Sequence, residues 1–265
     1  MLAHQAPSAS LPATGTPQSA PSQQPSTTQS PAQAVPAQSA YTGPVIVLDP
    51  AHGGTDPGAR GQNGPIEKDV TLQFARVARV ELVRQGYSVV LTRDDDSNPS
   101  YDDRAAFANS YHDAIFITLH ISSTGTAGTA RAYFYQFWNR FPPQSKSAAP
   151  DADETNPPTP APAPPLAASG LIPWNEAQRN YADASHRIAD QLQIQLAQPF
   201  TGSPAMSKAA AVRGLRSVAA PAVAIEISSV ADSSAASFTA MATPLAVSIS
   251  KGIQAFRPAN SAGAK

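Results

Sequence analysis

Between residues 44 and 257, short apolar runs alternate with longer segments in which apolar residues recur every three or four positions. The short runs are rich in Val, Ile and Leu, and they predict five β-strands: Val45–Asp49, Tyr87–Thr92, Ala114–His120, Arg131–Phe137 and Ala222–Glu226. The longer segments predict four helices: Glu67–Gly86, Ser100–Tyr111, Asn175–Leu196 and Asp232–Phe256. Pro244 lies inside the last segment and predicts a break or kink there. Strands that are apolar on both faces and alternate with helices predict an α/β sheet sandwiched between helical layers.

Three segments depart from this pattern. Residues 1–43 consist almost entirely of Pro, Ser, Gln, Ala and Thr, a composition that predicts a disordered tract or tether. A proline-rich tract at about 141–173 interrupts the alternation and predicts a long surface insertion. Residues 258–265 are expected to form a flexible tail. The remaining residues, 44–257, are predicted to form one folded domain that carries the insertion.

Composition narrows the classes of function. The 265 residues contain no cysteine, which excludes thiolate metal sites and cysteine nucleophiles. The net charge is −1 without a basic stripe, so nucleic acid is not an expected partner. No apolar run approaches the ~20 residues of a transmembrane helix, and no export signal is legible at the start. Without coiled-coil heptads, a monomer is the expected state.

Three predicted strands end near residues that can bind a metal or move a proton. His52 follows the first strand, His120 ends the third, and Glu226 ends the last. Because ligands bind at the carboxyl ends of strands in α/β sheets, these side chains are expected at one site. Glu67 opens the first helix on its apolar stripe, so its carboxylate is expected to point inward.

Two histidines and a carboxylate form a common catalytic zinc set, with a fourth position open to water. A further carboxylate beside the metal can take a proton from that water as general base. Each residue also has a structural interpretation. His52 could be a loop histidine that is hydrogen-bonded to the backbone, and His120 could be a core histidine with satisfied hydrogen bonds. Glu67 could interact favourably with its helix dipole, and Glu226 could form an ion pair with an arginine such as Arg213. Their coincidence at several strand ends favours a metal site.

The motifs resemble a known family. In chain order they read LDPAHGGTDPGARG, EKDVTL, TRDDD, DRAAFAN, FITLHISS and PAVAIEI. This series is similar to the zinc-dependent N-acetylmuramoyl-L-alanine amidases of the AmiC type, over nearly all of the folded region. The resemblance implies a single α/β domain with a mixed central sheet flanked by helices on both faces. It also implies Zn²⁺ bound by His52, Glu67 and His120, with Glu226 as the catalytic residue.

The activity implied by this resemblance is hydrolysis of the amide between the lactyl group of N-acetylmuramic acid and L-alanine in peptidoglycan. Arg213 is a candidate to stabilise the oxyanion, and Asp49 is a candidate to orient a ligand histidine through its ring N–H. Peptidoglycan lies outside the cytoplasmic membrane, so a periplasmic or wall-associated protein is expected. A protein activator is among the partners considered.

The sequence departs from the family pattern at several positions. Ala51 stands where a glycine usually precedes the first histidine, Ser122 stands where an asparagine is usual, and ISSVAD (Ile227–Asp232) replaces the usual segment after the catalytic glutamate. These departures leave two alternatives open: a peptidoglycan-binding module without catalysis, or a metallohydrolase for another amide. A further hypothesis places acidic residues of the insertion, Asp151, Asp153 and Glu154, over the open metal position.

Overall fold

A computed structural model describes residues 43–61, 64–137 and 172–256. In chain order the strands are β1 (Val45–Pro50), β2 (Val89–Leu91), β3 (Ala114–Ile121), β4 (Thr129–Tyr135), β5 (Lys208–Ala210) and β6 (Ala222–Ser228). The α-helices are α1 (Glu67–Arg84), α2 (Tyr101–Asn109), α3 (Ala182–Leu196) and α4 (Ala235–Ala255). Two 3₁₀ helices, Trp174–Tyr181 and Arg213–Leu215, precede α3 and β6.

The six strands form one sheet in the order β2-β1-β3-β6-β4-β5. β1 is parallel to both β2 and β3, and β3 is parallel to β6. β4 runs antiparallel to β6, and β5 is parallel to β4. The sheet is therefore mixed, and the predicted α/β class is confirmed.

The two faces of the sheet carry hydrophobic cores of different size. On one face, residues of β1, β3, β4 and β6 pack against α1, α3 and α4. On the other face, alternate residues such as Phe116 and Ala224 pack with α2 and the turn around Leu215. Because side chains alternate along a strand, His120 and Glu226 lie on this second face, beyond the smaller core. Helices thus flank both faces, and the smaller core stops short of the strand ends.

Three details of the elements differ from the sequence prediction. The predicted helix Asn175–Leu196 is divided, because its first part, Trp174–Tyr181, is a 3₁₀ helix. In that segment Gln178 is buried and donates to the carbonyls of Val218 and Ala220. β5 was not predicted, since its three residues carry no strand pattern of their own. α4 continues through Pro244.

The proline-rich insertion, predicted at about 141–173, falls almost entirely outside the described residues, as do the N-terminal tract and the C-terminal tail. The three acidic residues that were considered as a cover for the metal position also lie there. In the ranges that are described, no helix combines the length and apolar character needed to cross a lipid bilayer.

Candidate metal centre and active site

The loop after β1 holds His52 in an unusual backbone conformation. His52 has a φ of 63°, in the left-handed region that non-glycine residues rarely adopt. Two contacts fix it: Arg104 donates from Nη2 to the His52 carbonyl at 2.8 Å, and His52 Nδ1 lies 2.8 Å from Asp56 Oδ2. A carboxylate at Nδ1 favours the tautomer with a proton on that nitrogen, which leaves Nε2 free as a ligand atom.

Glu67 is placed by the junction between this loop and α1. The first N–H groups of α1 are bound by loop carbonyls: Glu67 donates to Ala59 and Lys68 to Pro57, at 2.9 and 3.2 Å. The loop therefore supplies acceptors that a side-chain cap supplies in other helices. In return, the Glu67 carboxylate accepts from the backbone N–H of Ala59 at 2.8 Å and of Ile121 at 2.9 Å. This exchange fixes a buried carboxylate at the end of β3.

The two histidines converge on this carboxylate. His52 Nε2 and His120 Nδ1 each lie 3.1 Å from a different oxygen of Glu67. Burial alone would raise the pKa of the Glu67 carboxyl, but its hydrogen bonds with His120, His52 and the two backbone N–H groups hold that pKa well below its usual range. The hydrogen bond with Glu67 is the largest influence on the pKa of His52, which is raised despite its partial burial. Glu67 is therefore ionised at neutral pH.

The donor set fits a metal ion. One ligand atom from each of His52, Glu67 and His120 lies within 4.8 Å of the others. Gly58 lies against this cluster at a φ of +64°, where an added Cβ would be 2.5 Å from Glu67 Oε2 and 2.6 Å from His52 Cδ2. The chain thus has no side chain where one would push the ligands apart. Two imidazoles and one carboxylate are a donor set that suits zinc.

Glu226 lies beside the cluster. It pairs with His120 across the parallel strands β3 and β6, and with Arg131 across the antiparallel strands β6 and β4. The Tyr133 hydroxyl donates to Glu226 Oε1 at 3.3 Å. Glu226 and the three candidate ligands line one open pocket of about 760 Å³. A carboxylate beside a potential metal site, facing open space, is placed to exchange a proton with a bound molecule.

Asp49, another predicted site residue, has surroundings that differ from those of the candidate ligands. Asp49 is buried and accepts from Arg104 Nη1 at 2.6 Å and from Thr92 Oγ1 at 2.5 Å. The expectation that Asp49 orients a ligand histidine is wrong for His52, because the Nδ1 of His52 contacts Asp56 instead. The reason is that Asp49, one residue before the end of β1, is neutralised by a buried arginine.

Ser122 and Arg213 each share a pocket with candidate ligands, and the contacts of their side chains within the described residues include other side chains. Ser122 lines the same pocket as Glu226, and its hydroxyl lies 3.1 Å from that of Ser228. Arg213 lies in a smaller pocket of about 210 Å³ that also contacts both histidines, and its guanidinium carbon is 5.1 Å from the Tyr101 ring centroid.

Sequence reasoning missed the residues that support the site. Asp56 stands four positions after His52, and its contact with the imidazole depends on how the loop between them folds. Arg104 and Arg93 are buried, and both donate to the backbone around residues 50–52. Their role depends on which carbonyl groups the fold leaves unpaired. Tyr133 was also missed, although it shares a strand face with Arg131.

Comparison with known proteins relates the chain to a family. Residues 46–255 match the family described as N-acetylmuramoyl-L-alanine amidase. The sporulation-specific N-acetylmuramoyl-L-alanine amidase of Bacillus subtilis is 41% identical over 92 residues, 34% of this chain and 35% of that protein. The amidase AmiA of Escherichia coli is 36% identical over 96 residues, 36% of this chain and 33% of that protein. The matched region thus spans about a third of the length of these curated relatives.

The fold also has solved counterparts. The CwlD amidase from Clostridioides difficile, in complex with the GerS lipoprotein, aligns with a TM-score of 0.56 and 18% identity, over 80% of this chain and 98% of that chain. At that identity the likeness concerns the fold alone. The family match, in contrast, covers well over half of the sequence and includes all four candidate site residues. The chain belongs to the N-acetylmuramoyl-L-alanine amidase family.

Proposed function

We propose that this chain is a zinc-dependent N-acetylmuramoyl-L-alanine amidase, which hydrolyses the amide between the lactyl group of N-acetylmuramic acid and L-alanine in peptidoglycan. The observation that carries the proposal is the convergence of His52, Glu67 and His120 beside Glu226 in one open pocket. The family supplies the substrate, since the curated relatives are N-acetylmuramoyl-L-alanine amidases.

In this proposal His52 and His120 bind Zn²⁺ through ring nitrogens and Glu67 through a carboxylate oxygen. When bound, zinc supplies Lewis acidity toward a carbonyl oxygen and lowers the pKa of water to about 7. Asp56 keeps the proton of His52 on Nδ1, so that Nε2 stays available as a ligand. The hydrogen bonds from Ala59 and Ile121 hold the Glu67 carboxylate in the ionised form that a ligand requires.

Glu226 acts as the general base. Its carboxylate takes a proton from the attacking water while the water oxygen bonds to the scissile carbonyl carbon. When the carbon–nitrogen bond breaks, the same carboxyl group passes the proton to the leaving amine of L-alanine. Tyr133 donates to Oε1 of Glu226 and so orients the carboxylate, which leaves the other oxygen for the proton transfer.

The location of the protein and its partners are proposed from the same substrate. A substrate outside the cytoplasmic membrane places the protein in the periplasm or at the cell wall, with residues 1–43 as a tether for the domain 44–257. We keep a protein activator among the proposed partners; CwlD, a structural counterpart, has been solved with a lipoprotein.

Replacing Glu226 by Gln tests the catalytic assignment. We expect release of peptide from purified cell wall to fall by at least about 100-fold, because the general base is lost. Zinc content should remain near one per chain, since no proposed ligand changes. Glu176→Gln is the matched control: Glu176 pairs with Arg179 away from the site, so activity should be retained.

The products decide between the enzyme and its alternatives. New amino termini that are L-alanine support the proposed bond, and other termini indicate a metallohydrolase for a different amide. Bound zinc without hydrolysis in the unmodified chain favours a binding module. Absence of zinc from protein purified with zinc present would contradict the ligand assignment.

A further inference from the structure

A row of three side chains crosses the sheet at the candidate site. His120 on β3 pairs with Glu226 on β6, and Glu226 pairs with Arg131 on β4. Directly paired residues project from the same face, so the three side chains lie side by side in the order ligand, base, cation. Neighbouring strands are about 4.8 Å apart, which places Arg131 about 10 Å from His120 across the sheet.

Arg131 is a half-buried cation that forms no ion pair with the described residues. It lines the same open pocket as Glu226, and no acidic group in the described parts of the chain forms an ion pair with it. Its guanidinium lies close to the Tyr133 hydroxyl, where it opposes the increase in the Tyr133 pKa that burial and the Glu226 charge produce. A guanidinium in an open pocket, with free donors, is suited to bind a carboxylate from a ligand.

The proposed substrate has carboxylates on one side of the scissile bond only. The lactyl carboxyl group of muramic acid is consumed in the amide, so the sugar side next to that bond is neutral. The peptide side carries the C-terminal carboxylate and those of any acidic residues. An extended chain advances about 3.3 Å per residue, so a carboxylate on the second residue lies about 7 Å beyond the scissile bond. The Arg131 side chain then spans the remaining distance between that carboxylate and the backbone of β4.

On the basis of the proposed function, we infer that Arg131 binds a free carboxylate in the peptide half of the substrate. The peptide then lies across β6 and β4, and the sugar lies on the side of β1 and α2. Arg131 is thus a specificity-determining residue: it favours peptides whose second residue carries a carboxylate over peptides in which that group is amidated.

The test uses two soluble muramoyl tripeptides that differ only in the second residue. This residue has one carboxyl group that is not part of a peptide bond; the group is free in the first substrate, the acid, and amidated in the second, the amide. The unmodified chain should cleave the acid with a kcat/KM about tenfold above that for the amide, the size expected for one charge-assisted contact. In Arg131→Gln this preference should disappear, with most of the loss in KM for the acid. Arg131→Lys should retain part of it.

Arg84→Gln is the matched control. Arg84 is an exposed arginine at the end of α1 opposite to Glu67, and its removal changes the net charge by the same amount. A second measurement needs no turnover: the released peptides, acid and amide, are titrated calorimetrically into the unmodified chain and into Arg131→Gln. The acid should bind about tenfold more weakly to the variant, and the amide should bind equally to both.

The outcomes separate the two proposals. If Arg131→Gln lowers kcat/KM equally for both substrates, Arg131 acts on Glu226 and the carboxylate subsite is overturned. A chain that cleaves neither these substrates nor purified cell wall overturns the proposed function, and the peptide titration then decides the role of Arg131 by itself. Equal binding of acid and amide by the unmodified chain contradicts the inference in either case.

Discussion

Gly58 lies against the candidate ligands, where the geometry of the site leaves little room for a side chain. Its φ of +64° is in a region that glycine adopts without steric penalty. An added Cβ would approach Glu67 Oε2 to 2.5 Å and His52 Cδ2 to 2.6 Å. Both atoms belong to side chains that their other partners hold in place, because Glu67 accepts two backbone hydrogen bonds and His52 contacts Asp56. The loop therefore needs glycine for space as well as for its turn.

We expect Gly58→Ala to weaken zinc affinity at least about tenfold, since displacement of ligand side chains has effects of that size. Competition with a chromogenic chelator measures the affinity. Gly86→Ala is the control: Gly86 has a φ of +92°, and no atom of the described residues lies within 4 Å of its added Cβ. It should lower the free energy of unfolding by about 1 kcal/mol and leave zinc affinity unchanged. Equal zinc affinity in both variants would contradict the assignment of this cluster as the metal site.

At the scale of elements, α3 and α4 pack closely at one glycine. An added Cβ on Gly252 of α4 would lie 2.6 Å from Leu192 Cδ2 and 2.9 Å from Leu192 Cα, on α3. A side chain can change rotamer, but a Cα can move only with its helix. Gly252 therefore sets the distance between these two helices, which cover the larger core of the sheet.

Gly252→Ala is expected to destabilise the domain. Overpacking costs about 1–3 kcal/mol, and the better helix propensity of alanine offsets about 1 kcal/mol of this. We expect a net decrease of about 1 kcal/mol in the free energy of unfolding, measured in urea. Lys251→Ala changes the exposed neighbour in the same turn and should be neutral or slightly stabilising. A stabilised Gly252→Ala variant would show that α3 and α4 separate at little cost.

The elements that the sequence did not predict depend on contacts between distant segments. β5 has only three residues, and its backbone pairs with the edge of β4. The 3₁₀ helix Trp174–Tyr181 includes Gln178, whose amide donates to two carbonyls that precede β6. α4 continues through Pro244 because apolar residues on both sides of it, among them Phe238 and Ile249, are buried in the same core. Local propensity is a weak guide where such burial opposes it.

At the scale of the whole molecule, four elements from three separate parts of the chain form the site. The loop after β1, the start of α1 and the ends of β3 and β6 each supply one of its four candidate groups. All four lie within residues 43–61, 64–137 and 172–256. None of these groups belongs to the proline-rich insertion, so the described parts of the chain contain a complete candidate site.

Deleting residues 142–172, with a short glycine–serine linker in their place, is therefore expected to leave hydrolysis of a soluble muramoyl peptide unchanged within about twofold. Neutralising Asp151, Asp153 and Glu154 with Asn and Gln should also have no effect. Initial rates at saturating zinc measure both. An increase of tenfold or more in both variants would support the hypothesis that these acidic residues cover the metal position. An increase in the deletion alone would indicate steric cover without a role for the charges.

The sequence by itself determined the α/β class, five of the six strands, and the inward position of Glu67. These features follow from local patterns. Strands are short runs of apolar residues, helices have apolar residues at every third or fourth position, and Glu67 shares a stripe with the buried residues of α1. The candidate residues His52, His120 and Glu226 were also identified from their places at strand ends.

Only the tertiary structure decided which side chains contact each other. Asp49 and Asp56 are both aspartates close to His52 in sequence, yet one is paired with the buried Arg104 and the other with the imidazole. The pairing of His120, Glu226 and Arg131 in one row depends on the register of three strands from distant segments. Strand register and buried hydrogen bonds are set by packing across the whole domain, and no local pattern in the sequence contains them.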